Sequence, residues 1–272
     1  MEQVRVTPGS GENAMPEFRR YADYDAFAWV YNRHWGWFAE RMLPVLDKLV
    51  LKSVPPGASV LDLCCGTGQL AHVLTERGLQ VTGVDGSEEM LRYARENAPQ
   101  AGFILADARS FSLPSEFHLA LALFDSLNHI MSLEELAWAF GNVYQALLPG
   151  GLFLFDLNME EGFAARWRGS FGIVEEDHVC VGRSSYRAEE GIGQADFTIF
   201  RLVAGARQPD AGAWQRTDVT LLEKCYAESD IRGALEDAGF HEIRVLDAHR
   251  DLGWRDVGRT FFLCQRPEAA ST

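Results

Sequence analysis

The stretch LDLCCGTG, residues 61–68, decides the fold of this chain. An apolar run typical of a buried strand leads into a turn at Gly66 and Gly68, and a helical segment begins at Gln69. A strand, a glycine turn and a helix in this order bring backbone N–H groups and a helix N-terminus close to a ligand. The stretch therefore predicts a nucleotide-like ligand at the end of a strand in an α/β sheet.

Beyond a Pro-Pro-Gly break at residues 55–57, short apolar runs alternate with helical stretches. The predicted strands are residues 59–63, 80–85, 103–107, 118–125 and 151–158. The predicted helices cover residues 69–77, a segment capped by Ser87, and a segment that ends at Leu148 and begins with a Ser132–Glu135 capping box. Continuously apolar strands separated by helices are typical of a parallel sheet covered on both faces. We therefore predict a doubly wound α/β fold.

Two parts of the chain depart from this alternation. Residues 17–52 are rich in aromatic side chains and are predicted to be helical. Residues 171–225 alternate polar and apolar positions between turn signals, which predicts about three antiparallel strands. A helix over residues 229–238 and strands over 242–248 and 259–265 then follow.

These patterns predict a domain organisation. Residues 1–16 form a flexible leader, and residues 17–170 with 226–267 form the sheet domain and its N-terminal helical cap. Residues 171–225 are an inserted antiparallel segment that serves as a lid or as the platform of a homodimer. Residues 268–272 are a frayed tail.

Composition restricts the class of protein. The 272 residues carry a formal net charge of −14, which disfavours binding to nucleic acid and to anionic membranes. No apolar run approaches the roughly 20 residues of a membrane helix. The five cysteines include no Cys-x-x-Cys pair, and the histidines lack metal-ligand spacing. Without an apolar export signal, we expect a cytoplasmic enzyme with reduced thiols and no metal.

The acidic residues beside the glycine turn discriminate between cofactor classes. Asp85 ends the second strand, where it can accept hydrogen bonds from the ribose hydroxyls of a nucleotide-like cofactor. Gly66-x-Gly68-x-x-Ala71 is a formal dinucleotide match, but Asp62 would repel a pyrophosphate. The same carboxylate would attract an ammonium or sulfonium cation. This charge argument favours S-adenosylmethionine, which carries both cations and no phosphate.

Residues 20–266 resemble the class I S-adenosylmethionine-dependent methyltransferases. VLDLCCGTG is similar to their first motif, VTGVDGSEEML to the second, ILADARSF to the third and LLPGGLFLFDLN to the entry of a late strand. The resemblance implies a Rossmann-like sheet of seven strands whose last strand is antiparallel. The chain departs from the family pattern at Cys64, where glycine is usual.

The resemblance also implies residue roles. Gly66 and Gly68 would lie beside the methionine part of the cofactor, Asp85 on the ribose, Met90 near the adenine, and Asp107 with Ala108 on the adenine ring. We add to this predicted cofactor set Tyr24, Asp62, Cys64, Gly86 and Phe124. The adjacent Cys64 and Cys65 are interpreted as small, soft residues of the turn, and not as a thiol site.

The methyl acceptor is expected after the fourth strand, in LFDSLNHIMSLEEL, residues 123–136. This segment resembles sugar amine N-methyltransferases, in which the residue matching His129 acts as a base or orients the acceptor and an N-terminal aromatic matches Tyr31. By residue type alone, His129 serves equally well as a helix cap or core residue. Asp125 and Asp156 either touch substrate or cap backbone. Trp35, Trp37 and Trp167 either wall the acceptor pocket or pack.

The predicted function is transfer of a methyl group from S-adenosylmethionine to a nitrogen or oxygen of a small molecule, by in-line displacement with His129 as the candidate base. Two alternatives stay open at this point. One is an NAD(P)-dependent oxidoreductase, and the other is a non-catalytic protein that binds S-adenosylmethionine on the same fold.

Overall fold

A computed structural model describes residues 20–202 and 214–269 of the chain. The predicted leader, the start of the 17–52 segment, residues 203–213 of the insertion and the last three residues lie outside the described residues.

The α-helices are α1 (Ala28–His34), α2 (Trp37–Leu46), α3 (Gln69–Glu76), α4 (Glu88–Asn97), α5 (Leu133–Ala146), α6 (Glu160–Arg166) and α7 (Glu228–Asp237). The strands of the larger sheet are β1 (Ser59–Leu63), β2 (Gln80–Asp85), β3 (Gly102–Leu105), β4 (Phe117–Ala122), β5 (Leu147–Asn158), β10 (His241–Asp247) and β11 (Arg259–Gln265). Four further strands, β6 (Gly169–Val174), β7 (His178–Arg187), β8 (Ile192–Leu202) and β9 (Trp214–Lys224), form a second sheet.

The larger sheet has the strand order β10-β11-β5-β4-β1-β2-β3. Strands β1 to β5 pair in parallel, whereas β11 pairs antiparallel with both β5 and β10. Order reverses between β1 and β4, so the crevice at their carboxyl ends is the expected place for a ligand. The predicted Rossmann-like sheet of seven strands with one antiparallel strand is confirmed.

Both faces of this sheet are covered, as the uniformly apolar strands require. Phe155 points toward α5 and α7 and packs with Phe140 and Leu235. Leu154, its neighbour along the strand, points to the opposite face, where it packs with Met42 of α2. The alternation of side chains along a strand thus places one apolar core on each side of the sheet.

The two helix caps predicted from the sequence, at Ser87 and Ser132, are present in the structure. Ser87 accepts a hydrogen bond from the backbone N–H of Met90 at 3.1 Å, and Ser132 accepts one from Glu135 at 3.2 Å. These contacts satisfy N–H groups that have no partner inside the first helical turn. The caps fix where α4 and α5 begin, and α4 begins directly after the expected ribose ligand Asp85.

Several predicted boundaries were wrong. The 17–52 segment is not one helix, because α1 and α2 are separated at Gly36, which packs against the side chain of Gln69; a short π-helix, Asp47–Leu51, follows α2. Helix α5 stops at Ala146 and not at Leu148, since the LPGG segment pairs as the start of β5.

Other differences concern the strands. The fourth strand ends at Ala122, and not at residue 125, because Phe124 and Asp125 take positive φ angles of 65° and 52°. The third strand ends at Leu105 rather than at residue 107. The antiparallel segment has four strands instead of three, and α6 was not predicted at all.

The second sheet has the order β6-β7-β8-β9, with every neighbouring pair antiparallel. One face packs against the N-terminal segment, where Cys180 and Ile199 contact a core that includes Phe27 and Val30. This small apolar core holds the sheet to α1. The division into separate domains, and the use of this sheet as a lid or dimer platform, stay predictions.

Within the described residues, no helix is both long and apolar enough to cross a membrane. The same part of the chain contains no group of three or more His, Cys, Asp or Glu side chains placed to hold a metal.

Candidate active site

A cavity of about 420 Å³ opens at the carboxyl ends of β1, β2, β4 and β5. The N-terminal segment covers it on one side, and inward-facing residues of the second sheet line it on another. The predicted site residues that line it are Tyr24, Tyr31, Cys64, Gly66, Asp85, Gly86, Met90, Asp107, Ala108, Phe124 and His129. The other two predicted cofactor residues, Asp62 and Gly68, do not line it, and Asp62 lines a smaller cavity nearby. A cavity of this size suits a small molecule or cofactor.

Backbone angles and close contacts explain the residue type at each position of the glycine turn. Gly66 takes φ 55° and donates its N–H to Asp85 Oδ2 at 2.8 Å. Gly68 takes φ 79°, and a Cβ there would lie 2.8 Å from the Cα of Ala94, so this glycine allows α3 and α4 to approach. Cys64 also has a positive φ, 57°, which explains why glycine is usual at this position. The cysteine therefore holds a strained backbone of the turn, at a cost of about 1 to 3 kcal/mol.

Asp85 presents two partly free oxygens to the cavity. One accepts the N–H of Gly66 and the other the N–H of Ser87, both at 2.8 Å. Each carboxylate oxygen has two acceptor sites, so one site per oxygen remains, as two adjacent ribose hydroxyls require. Burial raises the pKa of Asp85 to about 6, although the two backbone N–H groups oppose the rise.

Asp62 is buried, and its Oδ2 has no hydrogen-bond partner among the described residues. Burial raises the pKa of this carboxyl to about 8, and the nearby charge of Asp85 adds to the rise. It borders a small side cavity together with Cys64 and Gln69. A buried carboxyl without a partner fits a cationic group and disfavours a phosphate, because only a cation would offset the cost of ionising it. This is the observation that fits S-adenosylmethionine to the site.

The Asp107 carboxylate, predicted to contact an adenine ring, already has hydrogen-bond partners inside the protein. Its two oxygens accept hydrogen bonds from the side chain and N–H of Arg109 and from the N–H of Tyr21. Burial works to raise the pKa of Asp107, but these bonds outweigh it and the net shift is downward. The acceptor sites of the carboxylate are therefore occupied within the protein. A contact between this side chain and an adenine ring stays a prediction that would require one of these bonds to open.

The N-terminal segment closes the cofactor end of the cavity. Besides the Tyr21–Asp107 bond, Asp25 accepts a hydrogen bond from the hydroxyl of Ser87 at 2.5 Å. A Cβ on Gly86 would lie 2.4 Å from the carbonyl oxygen of Tyr21, so only glycine fits beneath this segment. Sequence reasoning missed Tyr21. The high density of aromatic side chains in residues 17–52 was the available signal.

His129 lies in a short 3₁₀ helix, Ser126–His129, with its ring almost fully enclosed. Its Nδ1 is 2.8 Å from the carbonyl oxygen of Leu222, which places the ring proton on Nδ1. Its Nε2 then accepts the hydroxyl hydrogen of Tyr24 at 2.9 Å. Burial lowers the pKa of His129, so the ring is neutral. The lone pair that a base would use is already engaged by Tyr24.

Tyr31 packs against the glycine turn. A Cβ on Gly66 would lie 3.7 Å from its ring, and the ring stacks on Trp35 with centroids 6.1 Å apart. Burial raises the pKa of Tyr31, and Asp125 adds to the rise. The side chain is therefore a neutral wall of the cavity that carries a hydroxyl group, and the catalytic role of Tyr31 stays a prediction. The three tryptophans predicted as candidate walls, Trp35, Trp37 and Trp167, all line the cavity.

The far end of the cavity is acidic. Asp125, after β4, and Glu223, on β9, are joined by Asn158, whose Nδ2 donates to Asp125 at 2.5 Å and to Glu223 at 3.0 Å. Burial raises the pKa of Glu223, and the charge of Asp125 raises it further. Glu223 and Asn158 were missed by sequence reasoning. The available signal for Glu223 was a lone acid on the otherwise apolar inward face of a predicted strand.

A buried ion pair stands behind this end. Arg259 Nη2 is 3.1 Å from Asp125, and its Nη1 donates to Asp156. Asp156 also accepts the N–H groups of Phe124 and Asp125, at 2.7 and 3.0 Å. Asp156 therefore caps the strained turn after β4 and does not line the cavity.

In the part of the chain that the structure describes, the cysteines form no disulfide, and two of the other histidines pair with each other. All five cysteines are free. The sulfur of Cys65 packs against Gly83, where an added Cβ would lie 2.7 Å from that sulfur. His34 and His178 hydrogen-bond to each other at 2.7 Å, behind α1 and outside the cavity.

Comparisons with known proteins agree with this geometry. The family described as "Methyltransferase domain" matches residues 60–151. A putative methyltransferase of Geobacillus is 31% identical over 89% of this chain and 99% of its own length. The dTDP-3-amino-3,4,6-trideoxy-alpha-D-glucopyranose N,N-dimethyltransferase of Streptomyces venezuelae is 31% identical over 70% of this chain and 78% of its own length. The fold is similar to that of an amino pentose methyltransferase of Micromonospora echinaspora solved with S-adenosylmethionine bound, with a TM-score of 0.68, 22% identity, and coverage of 87% of this chain and 96% of that one.

Proposed function

The chain belongs to the S-adenosylmethionine-dependent methyltransferases, and we propose that its acceptor is the amine nitrogen of an amino sugar. When bound, the cofactor supplies an electrophilic methyl group on a sulfonium. The candidate residues for holding it are Asp62 for its cationic amino acid part, Gly66 with Cys64 for the turn beneath it, and Asp85 for its ribose hydroxyls. The NAD(P)-dependent alternative is not favoured, because the buried carboxyl of Asp62 beside the glycine turn would repel a pyrophosphate.

The acidic residues at the far end of the cavity support an amine as the acceptor. Three carboxyl groups line this end together with two guanidinium groups, namely Asp125, Asp256 and Glu223 with Arg166 and Arg259, and the carboxyl group of Asp156 lies behind them. An excess of carboxyl groups attracts an amine and repels a carboxylate. The amino sugar class is supported by the Streptomyces venezuelae relative, whose name specifies such a sugar.

The protein's contribution is to position and desolvate the two reactants. The aromatic side chains Tyr24, Tyr31 and Phe124 exclude water from the middle of the cavity. The direct base role of His129 stays a prediction, and Tyr24 would have to turn away before the ring nitrogen could reach an acceptor. In the observed arrangement, His129 positions the Tyr24 hydroxyl.

The experiment is a methyl-transfer assay in which S-adenosylhomocysteine and methylated product are followed by mass spectrometry. We expect dTDP-3-amino-3,4,6-trideoxy-α-D-glucopyranose to gain one or two methyl groups, and the same nucleotide sugar with a hydroxyl in place of the amine to gain none. Methylation of the hydroxyl sugar, or of a dicarboxylate but no amine, would contradict the proposal.

We also propose that the enzyme works in the cytoplasm and binds no nucleic acid. Its five free thiols and its net charge of −14 support these two points. The outer face of the second sheet exposes Val174, Val181 and Phe200, which supports a homodimer through this sheet. Light scattering over a concentration series tests the dimer.

A further inference from the structure

We propose that Asp125 and Glu223 form the site that binds the acceptor nitrogen, and that this pair selects amines over alcohols and carboxylates. The inference rests on the proposed amine acceptor and assigns it to two named side chains. Neither residue belongs to the predicted cofactor set, and they come from different sheets of the molecule.

Enclosure of the pair is the first argument. The Glu223 side chain is 7% exposed and that of Asp125 is 14% exposed, and what remains exposed faces the cavity. A carboxyl group removed from water in this way needs a partner. Glu223 Oε2 has one in the amide of Asn158, and the carboxyl group also interacts with that of Asp125. Its Oε1 is 3.9 Å from Nε2 of the neutral His129 ring, which is beyond hydrogen-bond distance. Glu223 is thus a buried carboxyl group that lines the cavity and forms no ion pair with a lysine or arginine of the described residues.

Orientation of the pair is the second argument. Asn158 Oδ1 accepts a hydrogen bond from Arg166 at 2.5 Å, so the amide nitrogen must point at the two carboxyl groups. The backbone of Asn158 is in turn held by Asn128, whose side chain bonds its N–H and its carbonyl at 2.9 and 3.1 Å. Asn158 is therefore a positioning residue. Its amide nitrogen donates to both carboxyl groups, at 2.5 and 3.0 Å, and so holds them on either side of one N–H donor.

Charge is the third argument. Burial raises the pKa of Glu223, and the charge of Asp125 raises it further. Glu223 is therefore the member of the pair that takes up a proton when no acceptor is bound. An ammonium group can replace that proton, because it brings a positive charge and three donors. An alcohol brings one donor and no charge, and a carboxylate brings only repulsion.

The same pair serves the chemistry of an amine. The bound ammonium first passes one proton to a carboxylate of the pair, which frees the lone pair of the nitrogen. That lone pair forms the new bond to carbon, the electrons of the broken carbon–sulfur bond leave with the sulfur, and the nitrogen becomes cationic again. The negative charge on the pair stabilises this developing cation. Before a second methylation, one N–H proton must leave, and it passes to the ionised carboxylate of the pair and then to water.

The closing experiment uses methylammonium chloride and methanol as probes on the S-adenosylhomocysteine-loaded protein. Infrared difference spectroscopy follows the carboxylic-acid carbonyl band of Glu223, identified by its loss in Glu223→Gln and its retention in Glu189→Gln, an exposed glutamate outside the cavity. We expect methylammonium to diminish the band with saturation, as the ammonium replaces the proton, and methanol to leave it unchanged. Asp125→Asn should abolish the response. An unchanged band, or an equal response to methanol, would overturn the assignment.

A second arm separates this inference from the proposed sugar. Glu223→Gln should weaken binding of the dTDP-amino sugar by about tenfold or more, which is the usual loss for a hydrogen bond to a charged group, while the hydroxyl analogue and S-adenosylmethionine bind within twofold of wild type. Equal losses for both sugars would refute the role of the pair. If wild type binds neither sugar but the infrared band responds to methylammonium, the sugar class is wrong and the amine site stands.

Discussion

At the scale of single residues, Asp85 is the most sensitive group in the cofactor site. Its pKa is raised to about 6 by burial, so the carboxylate takes up a proton as the pH falls through that value. A protonated carboxyl loses acceptor capacity for two ribose hydroxyls. We therefore expect S-adenosylmethionine affinity, measured by calorimetry, to fall more steeply below about pH 6, by up to about tenfold per pH unit from Asp85. This fall adds to a more gradual one that begins near pH 8, where Asp62 takes up a proton.

Asp85→Asn is the matched variant for this effect. Its affinity at pH 7.5 should be lower than that of wild type by roughly 1 to 3 kcal/mol, the cost of impairing a buried hydrogen-bonding group. Its pH profile should lose the fall near pH 6. A variant that keeps the wild-type profile would show that another group, such as Asp62, controls it.

At the scale of elements, the contact between α6 and the residues before β11 decides where the acceptor wall lies. Gly258 takes φ 73°, and a Cβ there would lie 1.9 Å from the backbone nitrogen of Gly162. Its carbonyl also accepts the N–H of Met159 at 2.8 Å. Helix α6 carries Arg166 to the acidic end of the cavity, so a shift at this contact moves the wall itself.

We expect Gly258→Ala to destabilise the protein by at least about 2 kcal/mol, because strain of about 1 to 2 kcal/mol from the positive φ adds to a backbone clash. Gly57→Ala is the control, since Gly57 has the same φ of 73° and nothing within 4 Å of its Cβ position. Urea unfolding measures both variants. Equal losses would mean that the clash is relieved at no cost and that α6 is not held by this contact.

At the scale of the whole molecule, the site is built from both sheets and the N-terminal segment, so the cofactor should stabilise the assembled fold. At a cofactor concentration one hundred times its Kd, linkage contributes about 2.7 kcal/mol, which for a chain of this size raises Tm by roughly 5 to 10 °C. NAD at the same concentration should leave Tm unchanged, since the carboxyl of Asp62 beside the glycine turn repels a pyrophosphate. A shift with NAD and none with S-adenosylmethionine would contradict the cofactor assignment.

Much of this arrangement could be predicted because it is local in sequence. The glycine turn, the caps at Ser87 and Ser132, and Asp85 at the end of β2 each follow from residue types at short, fixed spacings. The strands of the larger sheet were recognisable because burial on both faces demands uninterrupted apolar runs. These features determined the fold class and the cofactor end of the site.

Tertiary structure alone decided the acceptor end. Asp125, Asn158 and Glu223 come from three segments up to 98 residues apart, and no spacing rule links them. It also decided that the lone pair of His129 faces Tyr24 and that the carboxylate of Asp107 is occupied by Arg109. Hydrogen-bond partners of this kind depend on how the two sheets and the N-terminal segment meet. The sequence therefore determined which cofactor the protein binds. The packing of distant segments decided which charged side chains line the acceptor end of the cavity.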